Sequence, residues 1–328
     1  MIERIVIEDW KEDSFHSDFI KNKSDNGTIF HSIQFLNYHS ESFYKDKKKI
    51  HVQFFKKNEL IASITGLIYK DDGKTYFVSP YGASYGGLVV IKNSIFVEYE
   101  LVYDNLIDCL KEYSVTTIKL TNTTNIHSEN SKSGYCEFIL LSNGFQIIKS
   151  DLLLVHELSD QSDLISRFER KTITELKQPL KKGNLSLQVL NGVDQETYLI
   201  LKSSQERLNS IPTHTLEELN KIENLLPGTV KSFKIMHEGN QVAGIITFSV
   251  NNRVLNTFYI FDNYSARDLK ANHFAYYSVL KWAKENGFRY LDLGPSTFGY
   301  EPNFPLIKFK EKFDVFPILR NTYIKELT

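Results

Sequence analysis

Two aromatic rings bracket two lysines at Phe309, Lys310, Lys312 and Phe313. A cation on partly dry, apolar surface is suited to holding an anion or polarising a carbonyl, because water competes with it less. The quartet follows a buried-looking strand (Tyr290, Leu291, Leu293) and a Gly/Pro/Ser loop. In an α/β pattern, ligands are held just past strand ends. The bland alternative is a basic helix start with two core phenylalanines. Acid–base candidates lie nearby in sequence: Asp262, Tyr264, Asp292, Tyr300 and Glu301. Each alone is more often structural than catalytic. Far upstream, Pro80-Tyr81-Gly82-Ala83-Ser84-Tyr85-Gly86-Gly87 combines three glycines with two tyrosines. Close backbone approach and aromatic stacking suit a sugar or nucleotide ring, which makes Tyr81, Ser84 and Tyr85 candidate substrate contacts. A tight, glycine-rich strand entry would read the same way.

Other chemistries are excluded. His214 and His273 are lone histidines near helix starts, with no second ligand at metal spacing, so no metal is expected. The two cysteines, Cys109 and Cys136, form no CxxC pair and no disulfide framework, which suits a reducing cytoplasm. Neither a Gly-x-Ser-x-Gly nor a Walker pattern occurs. The net charge of −1 argues against a dedicated DNA binder. Basic residues do run together at Lys45, Lys47, Lys48 and Lys49. A looser run spans Arg167, Arg170, Lys171, Lys177, Lys181 and Lys182. Such runs are most often solvated faces. No apolar run approaches the roughly 18 residues of a membrane span. The start, MIERIVIEDW, alternates like a strand and lacks the apolar core of a signal peptide. A cytoplasmic protein is expected.

The elements that must position these residues repeat. With 328 residues the chain has room for two domains, and 41% apolar with 24% charged residues is a globular composition. In the first half, HVQFFKKNELIASITGLIYKDDGKTYFVSP reads as three strands, with turns at Lys57-Asn58 and Asp71-Asp72-Gly73. A helix follows at 97–112, with Tyr99, Val102, Tyr103, Leu106 and Leu110 on one face, and then a strand at 115–120. The second half repeats this: three strands in VKSFKIMHEGNQVAGIITFSVNNRVLNTFYIFDN, a helix at 273–286 stopped by Gly287, and a strand at 288–293. Matching order in two halves marks a duplicated α/β (α+β) unit with mixed, largely antiparallel sheets flanked by helices. A capping box at Thr215 and Glu218 opens a further helix that Pro227-Gly228 ends.

Asp-x-Gly at a strand end, followed by a short loop and Phe-Lys, resembles the C-terminal part of the FemAB-like acyltransferases, which consist of two tandem GNAT-fold domains. SPYGASYGGLVV at 79–90 resembles a first-domain loop of the same family. The resemblance implies a first domain at 1–157 plus a returning C-terminal strand at 314–328. It implies a second domain at 158–313 that carries the donor site. The long helical arm of some Fem enzymes is absent from the pattern.

Residue by residue, the resemblance places Phe309 and Lys310 beside the reacting acyl group. Tyr300 falls where a tyrosine acid is often found, and Asp262 at the strand end near the acyl group. The family's phosphate loop, R-x-x-G-x-G/A, maps onto Arg267 to Asn272. Lys270 and Asn272 stand there where glycines are expected, so Arg267, Lys270 and Asn272 are the candidate donor contacts. The first-domain loop lacks the arginine and carboxylate that the aminoacyltransferases carry. The implied function is N-acyl transfer from acyl-CoA, such as acetyl-CoA, to an amine of an amino-sugar or cell-envelope glycan precursor. One alternative is an aminoacyl-tRNA-dependent peptidoglycan bridge transferase, with tRNA as partner. Another is a non-catalytic glycan-binding protein.

Overall fold

The computed structural model describes residues 2–10, 13–158 and 163–327, without the side chains of residues 178, 182, 265 and 267. The chain divides into two compact units. One comprises Met1–Asp151 with Leu319–Thr328, and the other Leu152–Ile318.

The first unit contains β1 (Glu3–Ile7), β2 (Lys48–Lys56), β3 (Glu59–Asp71), β4 (Lys74–Ser79), α1 (Phe96–Glu112), β5 (Thr117–Thr121), α2 (Ser133–Ser142) and the start of β6 (Gln146–Glu157). From Leu319 on, the strand Phe316–Glu326 (β12) belongs here as well, and its Thr322–Glu326 pairs antiparallel with Thr121–Thr117 of β5. The strand order is β1-β2-β3-β4-β5-β12-β6. β4 and β5 are parallel, joined by α1 as crossover. Alternation decides the faces. Ile50, Val52 and Phe54 of β2 are fully buried against α1, whose Tyr99, Val102, Leu106 and Leu110 complete the core. Between them, His51 and Gln53 point to the opposite face, beneath the short helical turns of residues 14–44.

The second unit begins with the end of β6. It continues through α3 (Arg170–Lys182), β7 (Ser186–Asn191), α4 (Gln195–Glu206), α5 (Leu216–Leu225), β8 (Val230–His237), β9 (Asn240–Ser249) and β10 (Val254–Asp262). It closes with α6 (Ala271–Glu285), β11 (Tyr290–Pro295) and α7 (Phe304–Lys310). Its strand order is β6-β11-β10-β9-β8-β7, antiparallel except for β10–β11. Again the helix after three antiparallel strands covers the sheet. Ala275, Tyr276, Val279, Leu280 and Ala283 of α6 pack on Phe233, Ile245, Leu255 and Leu291. This is a second core, separate from that of the first unit. At the start of α5, Thr215 Oγ1 accepts from the Glu218 amide at 3.1 Å. Glu218 Oε2 accepts from the Thr215 amide at 2.8 Å. Both halves of the expected capping box are present.

Two strands and two helices did not stand out in the sequence pattern: β6, β7, α2 and α4. Each has apolar residues without clean alternation or a clear helical stripe, as β7 illustrates by leaving Val189 and Leu190 exposed. No helix among the described residues is long and apolar enough to cross a membrane.

Candidate active site

The site forms where β10 and β11 part. These parallel strands pair at Val254–Tyr290, Leu255–Leu291 and Asn256–Asp292 only. Past that point β10 runs on to Asp262, while β11 turns to pair with Leu153 of β6 through Pro295. One edge of β10 beyond Asn256 therefore has no strand partner among the described residues. A bulge adds to the divergence. The β9 register slips between Ile246–Tyr259 and Thr247–Thr257, leaving Phe258 as the extra residue.

Asp292 holds the fork together. It is 1% exposed, and its carboxylate accepts from Asn256 Nδ2 at 3.0 Å and from the Gly294 amide at 2.8 Å. Gly294 sits at φ +73°, in the left-handed region that glycine adopts without strain. These bonds make Asp292 a structural brace, although sequence reading shortlists it for acid–base work.

Lys310 reaches the same place from α7. It is 3% exposed, and its Nζ donates to Gly294 O at 2.8 Å, Pro295 O at 3.1 Å and Ser296 Oγ at 3.1 Å. All three ammonium protons are thus in use. Burial pushes Lys310 down to about 8, with the Asp292 carboxylate acting in the opposite sense. Sequence reading places Lys310 beside the reacting acyl group; the structure ties its Nζ to the loop after β11. Phe309, next to it, packs against Tyr276 (5.3 Å between centroids) and His273 (5.4 Å).

A pocket of about 310 Å³ opens at the N-terminus of α6, lined by Asp262, Ala266, Lys270, Ala271, Asn272, His273 and Phe309. Lys270 is the N-cap residue at φ +55°, and among the described residues no side-chain cap hydrogen bond is made to the helix. A helix N-terminus with a lysine favours anions. Lys270 takes up the left-handed conformation that a glycine would adopt more cheaply. These features fit the phosphates of an acyl donor. Asn272 and Asp262 do not offer themselves as freely. Asn272 Nδ2 donates to Asp262 Oδ2 at 2.9 Å, and Arg207 Nη2 pairs with Asp262 Oδ1 at 2.5 Å. Both carboxylate oxygens of Asp262 are thereby engaged, one by Asn272 and the other by Arg207. Arg267 lies in the turn before α6, and its side chain is outside the described residues.

Four candidates, Asp262, Lys270, Asn272 and Phe309, are therefore brought together at one pocket. Tyr300 does not line this pocket; it is 68% exposed in the turn of the small hairpin that follows β11 (Thr297–Phe298 with Glu301–Pro302). Three contributors were missed by sequence reasoning: Arg207, Glu175 and, as a pocket residue, His273. Glu175 on α3 approaches His273 and Lys270. Only His273, three residues into a helix, gave a positional signal.

In the first unit, Tyr81 is half-buried, with Phe43 at 5.1 Å and Lys47 Nζ 5.3 Å from its ring centroid. Ser84 is half-buried beside it in sequence. Tyr85 is 3% exposed, its ring enclosed by His127 (4.6 Å), Phe30 (5.8 Å) and the Arg320 guanidinium (5.5 Å). It has no face left for a sugar. The glycines serve the turn itself. A Cβ on Gly86 would meet Pro80 N at 2.4 Å, and one on Gly87 would meet Asn122 Oδ1 at 2.0 Å.

Residues 213–302 match the model of the acetyltransferase (GNAT) domain. No curated protein matches the chain in sequence. Among solved structures it is similar to FemX, with a TM-score of 0.74, 14% identity, and 99% of this chain and 97% of that chain covered. A tandem GNAT protein from the clavulanic acid biosynthesis pathway gives a TM-score of 0.54, 9% identity, and 99% and 98% coverage. The C-terminal domain of a putative lysylphosphatidylglycerol synthetase from Agrobacterium fabrum gives 0.51, 14% identity, and 80% coverage of both chains.

Proposed function

We propose that this chain, a GNAT-fold acyltransferase, takes its acyl donor into the second unit, with the donor's phosphates at the N-terminus of α6 and its acyl group in the fork between β10 and β11. The single observation that carries this reading is the pairing of that fork with the α6 N-terminus and its lysine at one pocket. The open edge of β10 offers backbone amides to a carbonyl oxygen, as an oxyanion site requires. Lys310 fixes the carbonyls of Gly294 and Pro295 and so the far side of the fork. Tyr300 is the candidate acid for the leaving group. The acceptor is an amine on an amino-sugar or cell-envelope glycan precursor.

We propose acyl-CoA, acetyl-CoA in the first instance, as donor. A second reading, an aminoacyl-tRNA donor, draws on α3. Arg170, Lys171, Lys177 and Lys181 are exposed on this helix, while its Glu175 approaches residues of the pocket. A basic face beside a donor site suits a longer polyanion than CoA. The structural likeness to FemX is compatible with it. Calorimetric titration with acetyl-CoA and, separately, with an aminoacyl-tRNA tests both. Saturable acetyl-CoA binding that Lys270→Ala weakens supports the first reading. Binding of the charged tRNA alone replaces it with the second. A glycan bound by a protein that takes neither donor would leave a non-catalytic binding protein.

A further inference from the structure

We propose that Glu175 is an internal counter-anion of the donor pocket, holding Lys270 and His273 before the donor arrives and releasing Lys270 to its phosphates, whereupon His273 takes a proton from solvent. This rests on the reading of the pocket as the donor site. Glu175 comes from α3, whose Thr172 and Leu176 are buried while its basic face is exposed. Its carboxylate spans both partners. Oε1 is 3.7 Å from Lys270 Nζ, and Oε2 is 3.3 Å from His273 Nε2.

Neither contact is complete. The Lys270 distance is too long for a hydrogen bond. Glu175 Oε2 and His273 Nε2 are both buried, and neither makes a hydrogen bond among the described residues. Buried polar atoms are nearly always satisfied, so a facing carboxylate and imidazole left in this state require an explanation. A proton on His273 supplies one. It converts the pair into a charge-assisted hydrogen bond.

The surroundings hold that proton off until an anion binds. His273 is 9% exposed and packed against Phe309 and Phe313, and burial keeps its proton affinity below the usual histidine range. Lys270 and Lys312 act in the same direction, whereas Glu175 and Glu169 oppose them. Phosphate oxygens at the α6 N-terminus would draw Lys270 away and add negative charge. Both changes favour the proton. Glu175 also competes with the donor for Lys270, so it sets how weakly charged a ligand the pocket accepts. Donor binding is then coupled to proton uptake and tightens as pH falls through the range of His273, by at most about tenfold per pH unit for one proton.

The test is calorimetry with acetyl-CoA near pH 7 in two buffers of different ionisation enthalpy, on the wild type, Glu175→Gln, Lys270→Met and the double variant. Wild type is expected to take up a fraction of a proton. Glu175→Gln should bind about 3- to 10-fold more tightly, on the order of 1 kcal/mol, with less uptake. Its gain should shrink in the Lys270→Met background. Wild-type binding with unchanged affinity and unchanged uptake in folded Glu175→Gln sinks this inference and leaves the donor site standing. Acetyl-CoA binding to neither protein removes both. If Glu175→Gln does not fold, His273→Asn serves: proton uptake must vanish, and uptake that persists refutes the coupling.

Discussion

Lowering the pH from 7.5 to 5.0 should destabilise the first unit by several kcal/mol, through three buried histidines. His16, His31 and His51 are 1%, 2% and 0% exposed. Burial pushes His16 down to about 3, and His31 and His51 to about 4. Local geometry agrees. His31 Nδ1 accepts from the Thr28 amide while Nε2–H donates to Gly86 O, so a second proton would break the first bond. The His16 and His51 rings lie 4.2 Å apart, and neither His51 nitrogen has a hydrogen-bond partner among the described residues. In the unfolded chain each titrates near 6.5. The folded values are depressed, so the unfolded state binds more protons between about pH 6.5 and 4, and stability falls as pH drops through that window. At pH 5.0 each histidine costs about 2 kcal/mol, and the three together about 6 kcal/mol, a large share of a typical domain's stability. Urea unfolding at the two pH values, followed by the fluorescence of Trp10, reads the loss. His51→Leu should remove about a third of the pH dependence. A midpoint that hardly moves between pH 7.5 and 5.0 would refute the claim that these rings are buried and neutral.

Lys310→Met keeps the length of the side chain but strips its partners from Gly294 O, Pro295 O and Ser296 Oγ. It should cost about 2–4 kcal/mol in stability as well as most of the activity, measured by chemical unfolding and product formation. Full stability with lost turnover would restore Lys310 to direct contact with the acyl group. Tyr300→Phe should lower kcat by about 100-fold or more with KM and melting temperature unchanged, since its hydroxyl is exposed; wild-type kcat would end its candidacy. Arg207→Met frees the Asp262 carboxylate and with it Asn272. It should raise the donor KM several-fold while kcat changes less, on the scale of a lost charge-assisted bond; an unchanged KM would separate the Arg207–Asp262 pair from donor binding.

The duplicated strand–helix–strand order was legible because its strands alternate cleanly and its two long helices carry a stripe. The face read on α1, from Tyr99 to Leu110, is the buried one. Helix starts moved by one or two residues, from 97 to Phe96 and from 273 to Ala271, because end residues are fixed by caps rather than by periodicity. The site was legible only where the signal was local. The run from Lys270 to His273 reads as a helix start in one dimension and as a pocket wall in three. Arg207 and Glu175 were not readable, because Arg207 reaches its partner from the C-cap of α4, 55 residues away, and Glu175 reaches its partners from α3, 95–98 residues away. Tyr85, in the Tyr81–Gly87 stretch, was not readable as a buried ring for the opposite reason. Glycines and tyrosines that pack on their own chain look the same in sequence as those that wait for a ligand.

The chain leaves the first unit at Asp151 and re-enters it at Leu319. The second unit is therefore an insertion into the first, entered within β6 and left within β12, which neighbour each other in the sheet. During synthesis, residues 152–318 emerge as one uninterrupted piece and have every strand of their own sheet in hand. The first unit, although begun earlier, lacks β12 until residues 319–327 leave the ribosome. Tyr323, 3% exposed within the first core, comes with that strand. The half made first is thus the half completed last, and a nascent chain with residues 152–318 outside the ribosome and 319–327 still inside would carry a complete second unit and an open-edged first one.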